Sequence, residues 1–213
     1  TGIEDFTALT YLNCEGNQLT SLDVSQNTAL TFLNCSTNVL TSLDVSQNTA
    51  LEYLECGFNQ LTNLDLSQNT ALTYLSCWEN QLTSLDVSQN AALTDLSCAI
   101  NQLTSLDVRN GNNTNCMLWT DNNPNLYCID VDDPVWSATN WTSIDAWASF
   151  SSNCGWLPAE NLFFSEYAEG SSSNKYFEIY NPTSDTVDLT NYAFARVSNS
   201  PGNGVGVYEY WVD

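Results

Sequence analysis

Leu9–Asp23, LTYLNCEGNQLTSLD, decides the fold of this chain. Its skeleton, Leu-x-x-Leu-x-Cys-x-x-Asn-x-Leu-x-x-Leu-Asp, returns at Leu30, Leu51, Leu72 and Leu93, five copies at a fixed step of 21 residues. A fixed period of roughly 20 to 50 residues marks a solenoid, in which each repeat is one coil that buries its apolar face only against its neighbours. Within the coil, Leu-x-x-Leu-x-Cys alternates apolar and variable residues with the period of a half-buried strand. Leu19 and Leu22 fill the core from the other side. The following SLDVS alternates again, so the second side of each coil is a candidate parallel strand, and Gln26–Ala29 and its copies form the return turn.

Two columns follow from stacking such coils. Asn17, Asn38, Asn59, Asn80 and Asn101 leave the strand at a tight corner, where a side-chain amide can satisfy backbone groups that would otherwise be unpaired. Cys14, Cys35, Cys56, Cys77 and Cys98 share one apolar slot. Neighbouring coils place their Cα atoms about 4.8 Å apart, inside the disulfide range. Side chains in register point in parallel, however, so the column is expected to hold free, buried thiols rather than disulfides or a metal-binding thiolate site.

This pattern resembles the leucine-rich repeat family, over about residues 3–131. The companion segment LTSLDVSQNTA resembles the short repeats of surface and secreted proteins of Bacteroidetes-type bacteria. The resemblance implies that the outward strand positions line a concave binding face. They read Tyr11-Asn13-Glu15, Phe32-Asn34-Ser36, Tyr53-Glu55-Gly57, Tyr74-Ser76-Trp78 and Asp95-Ser97-Ala99. Tyr11, Phe32, Tyr53, Glu55, Tyr74, Trp78 and Asp95 are therefore the candidate binding residues. An exposed aromatic row with polar neighbours suits a polysaccharide or a protein surface; the alternative is that the rings only stabilise adjacent strands. Asp23, Asp44, Asp65, Asp86 and Asp107 form an outward acidic column. It reads as a solvated face whose acids accept hydrogen bonds from nearby Ser and Thr hydroxyls. Calcium is possible there, although the ligand cluster of a calcium loop is missing.

After Val108 the period breaks and an irregular coil, CMLWTDNNPNLYCIDV, restores it at Ile129–Val131. An open solenoid end exposes its core, so a different terminal unit is needed. Asp133-Pro134 begins a short helix with an acidic N-cap, and Trp136, Trp141, Trp147 and Phe150 are available to cover the end. The run NPNLYCIDVDD…W…W…FSSNC resembles the C-terminal caps of the same bacterial repeat proteins, which implies a Cys128–Cys154 disulfide. Cys116 takes the repeat slot of Leu93 and is expected to be buried and free.

The texture then changes to strand-like runs at Leu162–Tyr167, Tyr176–Tyr180 and Ala193–Val197, separated by turn residues. Ser165-Glu166-Tyr167, the Gly170–Lys175 turn, Phe177–Pro182 and Asp188–Tyr192 resemble the bacterial lamin-tail domain, an immunoglobulin-like sandwich. A sandwich of that kind takes about 100 residues, so residues 161–213 are only part of one.

Composition narrows the function. With 25 acidic residues against Arg109, Lys175 and Arg196, the net charge is −22, which repels phosphate backbones and argues against nucleic-acid binding. No run approaches the ~18 apolar residues of a membrane span. There is no histidine, so Ser-His-Asp and Cys-His catalysis and His-ligated metals are excluded. Acidic pairs are too common to mark a catalytic dyad, Gly202–Gly206 reads as a turn, and the sequons at Asn34 and Asn140 are discounted. Ile3 precedes Leu9 as Val24 precedes Leu30, so the chain starts inside a partial repeat and looks like a piece of something longer.

The expectation is a mainly β protein: a leucine-rich-repeat solenoid (1–131), a cap with a disulfide (132–156), a linker (157–160) and a partial lamin-tail-like β domain (161–213). The expected role is non-enzymatic, an extracellular or cell-surface adhesion module for a polysaccharide or a surface protein, with no cofactor. The alternatives are a targeting region of a larger secreted hydrolase or nuclease, and a self-associating unit of a matrix or filament.

Overall fold

The computed structural model describes residues 2–154 and, beyond them, the backbone of four strands. The chain divides into two compact units, Thr1–Leu157 and Pro158–Asp213. In the first unit the strands are β1 (Tyr11–Asn13), β2 (Phe32–Asn34), β3 (Tyr53–Glu55), β4 (Tyr74–Ser76) and β5 (Ser84–Asp86). They continue as β6 (Asp95–Ser97), β7 (Ser105–Asp107), β8 (Met117–Trp119), β9 (Cys128–Asp130) and β10 (Ser149–Ser151), with helix α1 (Pro134–Asn140) between the last two. In the second unit β11 (Phe163–Glu169) pairs antiparallel with β12 (Lys175–Tyr180), and β13 (Phe194–Ser198) pairs antiparallel with β14 (Val207–Trp211). The linker at 157–160, the turn at 170–174, the segment at 188–192 and the Gly-rich run at 202–206 lie outside the described residues.

Coils of 21 residues stack into a parallel β solenoid of leucine-rich-repeat architecture. One parallel sheet runs β1-β2-β3-β4-β6-β8 in strict register, from Tyr11 opposite Phe32 to Asp95 opposite Met117. Leu33, Leu54, Leu75 and Leu96 and their partners across the coil are fully buried, each worth about 1.5–3 kcal/mol of apolar burial. In the first coil Leu12, Cys14, Leu19 and Leu22 are only half-buried, because they have a neighbouring coil on one side alone.

The second side forms the expected strand in only part of the solenoid. Only β5, β7, β9 and β10 pair there; the equivalent segments of the first three coils do not, and an open groove of about 620 Å³ runs past Leu43, Asp44, Asn63, Leu64 and Asp65.

Two asparagine ladders tie the coils together. Asn38 shows the expected one: its Nδ2 donates to the carbonyls of Cys14 (3.0 Å), Cys35 (3.0 Å) and Ser36 (3.1 Å), while its Oδ1 accepts from Leu19 N–H (3.0 Å). Asn123 extends this ladder into the irregular coil, accepting from Leu103 N–H at 3.0 Å. The second ladder was not read from sequence. Asn27, Asn48, Asn69 and Asn90, assigned to the return turn, are completely buried. Asn48 Nδ2 donates to the carbonyls of Val24 (3.0 Å) and Asn27 (2.9 Å) in the coil before it. Asn27 does the same to Ile3 and Phe6, at 2.9 Å each, so residues 3–6 do occupy a coil position.

The cap forms largely as expected. Asp133 Oδ1 accepts from Val135 and Trp136 N–H, both at 3.0 Å, and Pro134 opens α1. Cys128 and Cys154 form a disulfide with Cα atoms 5.7 Å apart. Trp141 is buried, with Trp136 and Phe150 packed beside it, but Trp147 is 51% exposed and takes no part in the cover. Cys116 is buried and free. Its N–H bonds to Asn113 O just as Leu93 N–H bonds to Asn90 O, so it fills the Leu93 slot.

Candidate binding face

The outward positions of the first sheet form rows across the coils. One row is Tyr11, Phe32, Tyr53, Tyr74, Asp95 and Met117 by strand register. Its four rings lie face to face, with centroids 4.2, 4.4 and 4.3 Å apart and interplanar angles of 10°, 11° and 3°. The coil spacing forces this: side chains in register, about 4.8 Å apart, leave planar rings no lower-energy arrangement than a tilted pile. Tyr11 is 57% exposed and the other three are half-buried. The interior rings, Phe32 and Tyr53, therefore offer their edges to a ligand, since their faces are covered by neighbouring rings.

Glu55 stands in the next row and accepts from the Tyr53 hydroxyl at 2.9 Å. Burial, followed by this bond and the neighbouring charge, pushes the Tyr53 phenol well above its usual value. Asp95 continues the ring row, its Oδ2 accepting from Thr94 Oγ1 at 2.7 Å. Trp78 does not join the stack. Its ring covers Gly57, where a Cβ would come within 2.7 Å of the indole, and packs edge-on against Phe58 at 4.3 Å.

Five outward positions are closed rather than open. Gly57, Ser76, Ala99, Asn34 and Ser36 are buried, with Asn34 Oδ1 accepting from the Ser36 N–H (3.0 Å) and Oγ (2.7 Å). These two side chains satisfy each other instead of waiting for a ligand.

The face also holds residues that sequence reading passed over. Met117 and Trp119 sit opposite Asp95 and Ser97, with Leu118 in the core slot of Leu96. Met117 is 56% and Trp119 39% exposed. The irregular spacing before Cys116 hid them; the Leu118–Asn123 interval, which matches Leu96–Asn101, was the available signal.

The thiol column is as expected free: Cys14, Cys35, Cys56, Cys77 and Cys98 carry no disulfide, and neither does Cys116 outside it. Burial pushes Cys35, Cys98 and Cys116 up to about 12, and Cys56 and Cys77 well above the usual thiol value. Such thiols are poor nucleophiles and poor metal ligands. Thr120, buried opposite Cys98, ends the column.

The acidic column is solvated. Ser46 N–H donates to Asp44 at 2.9 Å and Ser67 N–H to Asp65 at 2.9 Å, so backbone amides bond these acids in addition to the expected serine hydroxyls. At Asp23 and Asp44 the serine hydroxyl and amide together hold the carboxyl below its usual range. Among the described residues no three His, Cys, Asp or Glu side chains converge as a metal site would require. Asp107 instead pairs with Arg109, which reaches on to Asp130 at 3.6 Å and to Ser152 O at 3.0 Å.

Comparison with solved structures places bacterial leucine-rich-repeat proteins beside this solenoid. The functional domain of InlJ from Listeria monocytogenes, described as including a cysteine ladder, matches with a TM-score of 0.53 and 38% identity over 71% of this chain and 37% of that one. A leucine-rich-repeat protein from Leptospira interrogans matches with a TM-score of 0.53 and 21% identity over 70% of this chain and 50% of that one. The chain thus spans half or less of the length of these structures. No protein-family model and no curated protein matches it.

Proposed function

We propose that this chain is a non-enzymatic adhesion module that binds a protein partner along the ring row of its concave sheet. The observation that carries the reading is the four-ring stack. Its interior faces are closed at 4.2–4.4 Å, so it offers a continuous stripe of ring edges and hydroxyls flanked by Glu55 and Asp95. A stripe of that kind fits side chains of a protein surface better than sugar rings, which need an open aromatic face. Its acidic flank favours a partner with a basic rim. The disulfide supports an oxidising, extracytoplasmic location.

The test uses purified protein on a panel of intact bacterial and epithelial cells, with the cells treated beforehand by protease or by glycosidases. Tyr53→Ala with Tyr74→Ala is expected to lower binding at least about tenfold, the scale of an interface hot spot, while the far-ultraviolet spectrum of the coil is unchanged. Binding should vanish from protease-treated cells. Undiminished binding by the double variant, or binding that survives protease and disappears with glycosidase, would remove the protein-partner reading.

A further inference from the structure

The cap end of the same sheet carries a second feature that the ring row does not explain. A groove of about 340 Å³ lies between β8, the loop before it and the end of α1. That size is at the lower end of ligand pockets, roughly 300–1,000 Å³. Its walls include Thr114, Asn115, Met117, Trp119, Asn140 and Thr142. In a chain of net charge −22, none of the residues lining this groove carries a charge.

Three properties point to one ligand chemistry. First, Trp119 is 39% exposed, lines the groove, and has no aromatic ring among the described residues stacked on it, unlike Phe32 and Tyr53. Second, the polar groups have spare capacity. Asn140 and Asn115 use their Nδ2 groups on Trp136 O and Asn112 Oδ1, both at 2.8 Å, which leaves each Oδ1 as an acceptor. The Thr114 and Thr142 hydroxyls make no bond to other described residues. Third, the floor is rigid. Trp141 Nε1–H donates to Cys116 O at 2.9 Å, Trp136 packs edge-on against Trp141 at 5.8 Å, and Ser143 bridges to the Trp119 strand.

We propose that this groove binds a short segment of a neutral oligosaccharide, with a sugar ring lying on the Trp119 indole and its hydroxyls bonded by Asn115, Asn140, Thr114 and Thr142. An exposed, unstacked aromatic ring with uncharged donors and acceptors around it matches a ligand that is apolar on one face and hydroxylated at its edge. The surrounding acidic surface disfavours negatively charged sugars. The site is independent of the ring row, so either assignment can fail alone.

Purified protein is titrated calorimetrically, and by tryptophan fluorescence, with defined neutral hexasaccharides (gluco-, manno-, xylo- and chito-) and with an acidic galacturonan oligomer. A saturable response is expected to at least one neutral oligomer and none to the galacturonan. Trp119→Ala should weaken it at least about tenfold, and Thr142→Val, which keeps the side-chain volume, should weaken it measurably in a fold that melts as the parent does. Absence of any neutral binding at millimolar sugar would overturn the proposal. So would undiminished binding by both variants, or loss on Tyr74→Ala with Trp119→Ala unaffected, which would move the sugar to the ring row.

Discussion

Six residues that follow the concave strand share one backbone conformation. Gly16, Thr37, Phe58, Glu79, Ile100 and Asn122 all have φ between 52° and 68°. This left-handed turn sends the chain into the corner that the asparagine ladder closes. Only Gly16 and Asn122 are residues that adopt it readily, and a β-branched residue there carries a cost of about 1–2 kcal/mol. Ile100 makes the cleanest test because it is 42% exposed and at φ 53°. Ile100→Gly should be more stable than Ile100→Ala by about 1 kcal/mol, the reverse of the order at an ordinary position. Urea denaturation of the two variants reads this directly; an Ala variant equal to or above Gly would mean that the turn relaxes. Sequence made Asn38 and its copies legible, because Asn at a strand exit has a known use. The φ of Ile100 was not legible, since nothing about isoleucine announces it.

At the scale of the column, the buried thiols make stability depend on pH. Burial raises the folded-state values of Cys35, Cys98 and Cys116 to about 12, against an ordinary value of 9.0. The unfolded chain loses these protons first, so the stabilisation is complete below about pH 8.5 and is lost as pH rises from there toward 12. Denaturation midpoints taken from pH 7 to 11 should fall at the alkaline end. Replacing Cys56 and Cys77 by Ala should flatten the fall, and an unchanged slope would shift the cause elsewhere. Under native conditions at pH 8 only Cys14, half-buried at the open end, should react promptly with a disulfide reagent. The free state of the column followed from the parallel direction of in-register side chains. The ring stack beside it obeys the same rule, and there the sequence left binding and mutual stacking undecided; the 4.3 Å separation of Tyr53 and Tyr74 shows the stacking directly.

For the whole solenoid, stability is a sum of coil and interface contributions, so the ends matter most. The C-terminal end is held by Trp141, by Arg109 bridging Asp107, Asp130 and Ser152, and by the Cys128–Cys154 disulfide across a 26-residue separation. Cys128→Ser with Cys154→Ser should cost about 3 kcal/mol in the chain-entropy picture, seen as a lower denaturation midpoint in oxidising buffer. The same shift should appear in the parent protein after reduction. If the variant matches the oxidised parent, the tryptophans alone hold the cap. Trp147 was a candidate to cover the end with those tryptophans, yet it is 51% exposed; two residues before it, Asp145 accepts from the Asn122 and Asn123 backbone N–H groups at 3.0 and 2.7 Å.

A 21-residue period with Leu, Cys and Asn at constant positions determined the coil, the register and the content of the core by itself, because only stacked neighbours can bury such a face. The cap helix was equally legible, since Asp-Pro before an apolar run specifies a helix start. Tertiary structure alone decided the rest. It closed Asn34 and Ser36 on each other and buried the second asparagine ladder. It covered the ring faces of Phe32 and Tyr53, and brought Met117 and Trp119 to the cap end of the same sheet. The physical reason is common to all of these. Repetition specifies which residues face outward, whereas exposure, stacking and partnership depend on atoms contributed by the next coil, about 4.8 Å away.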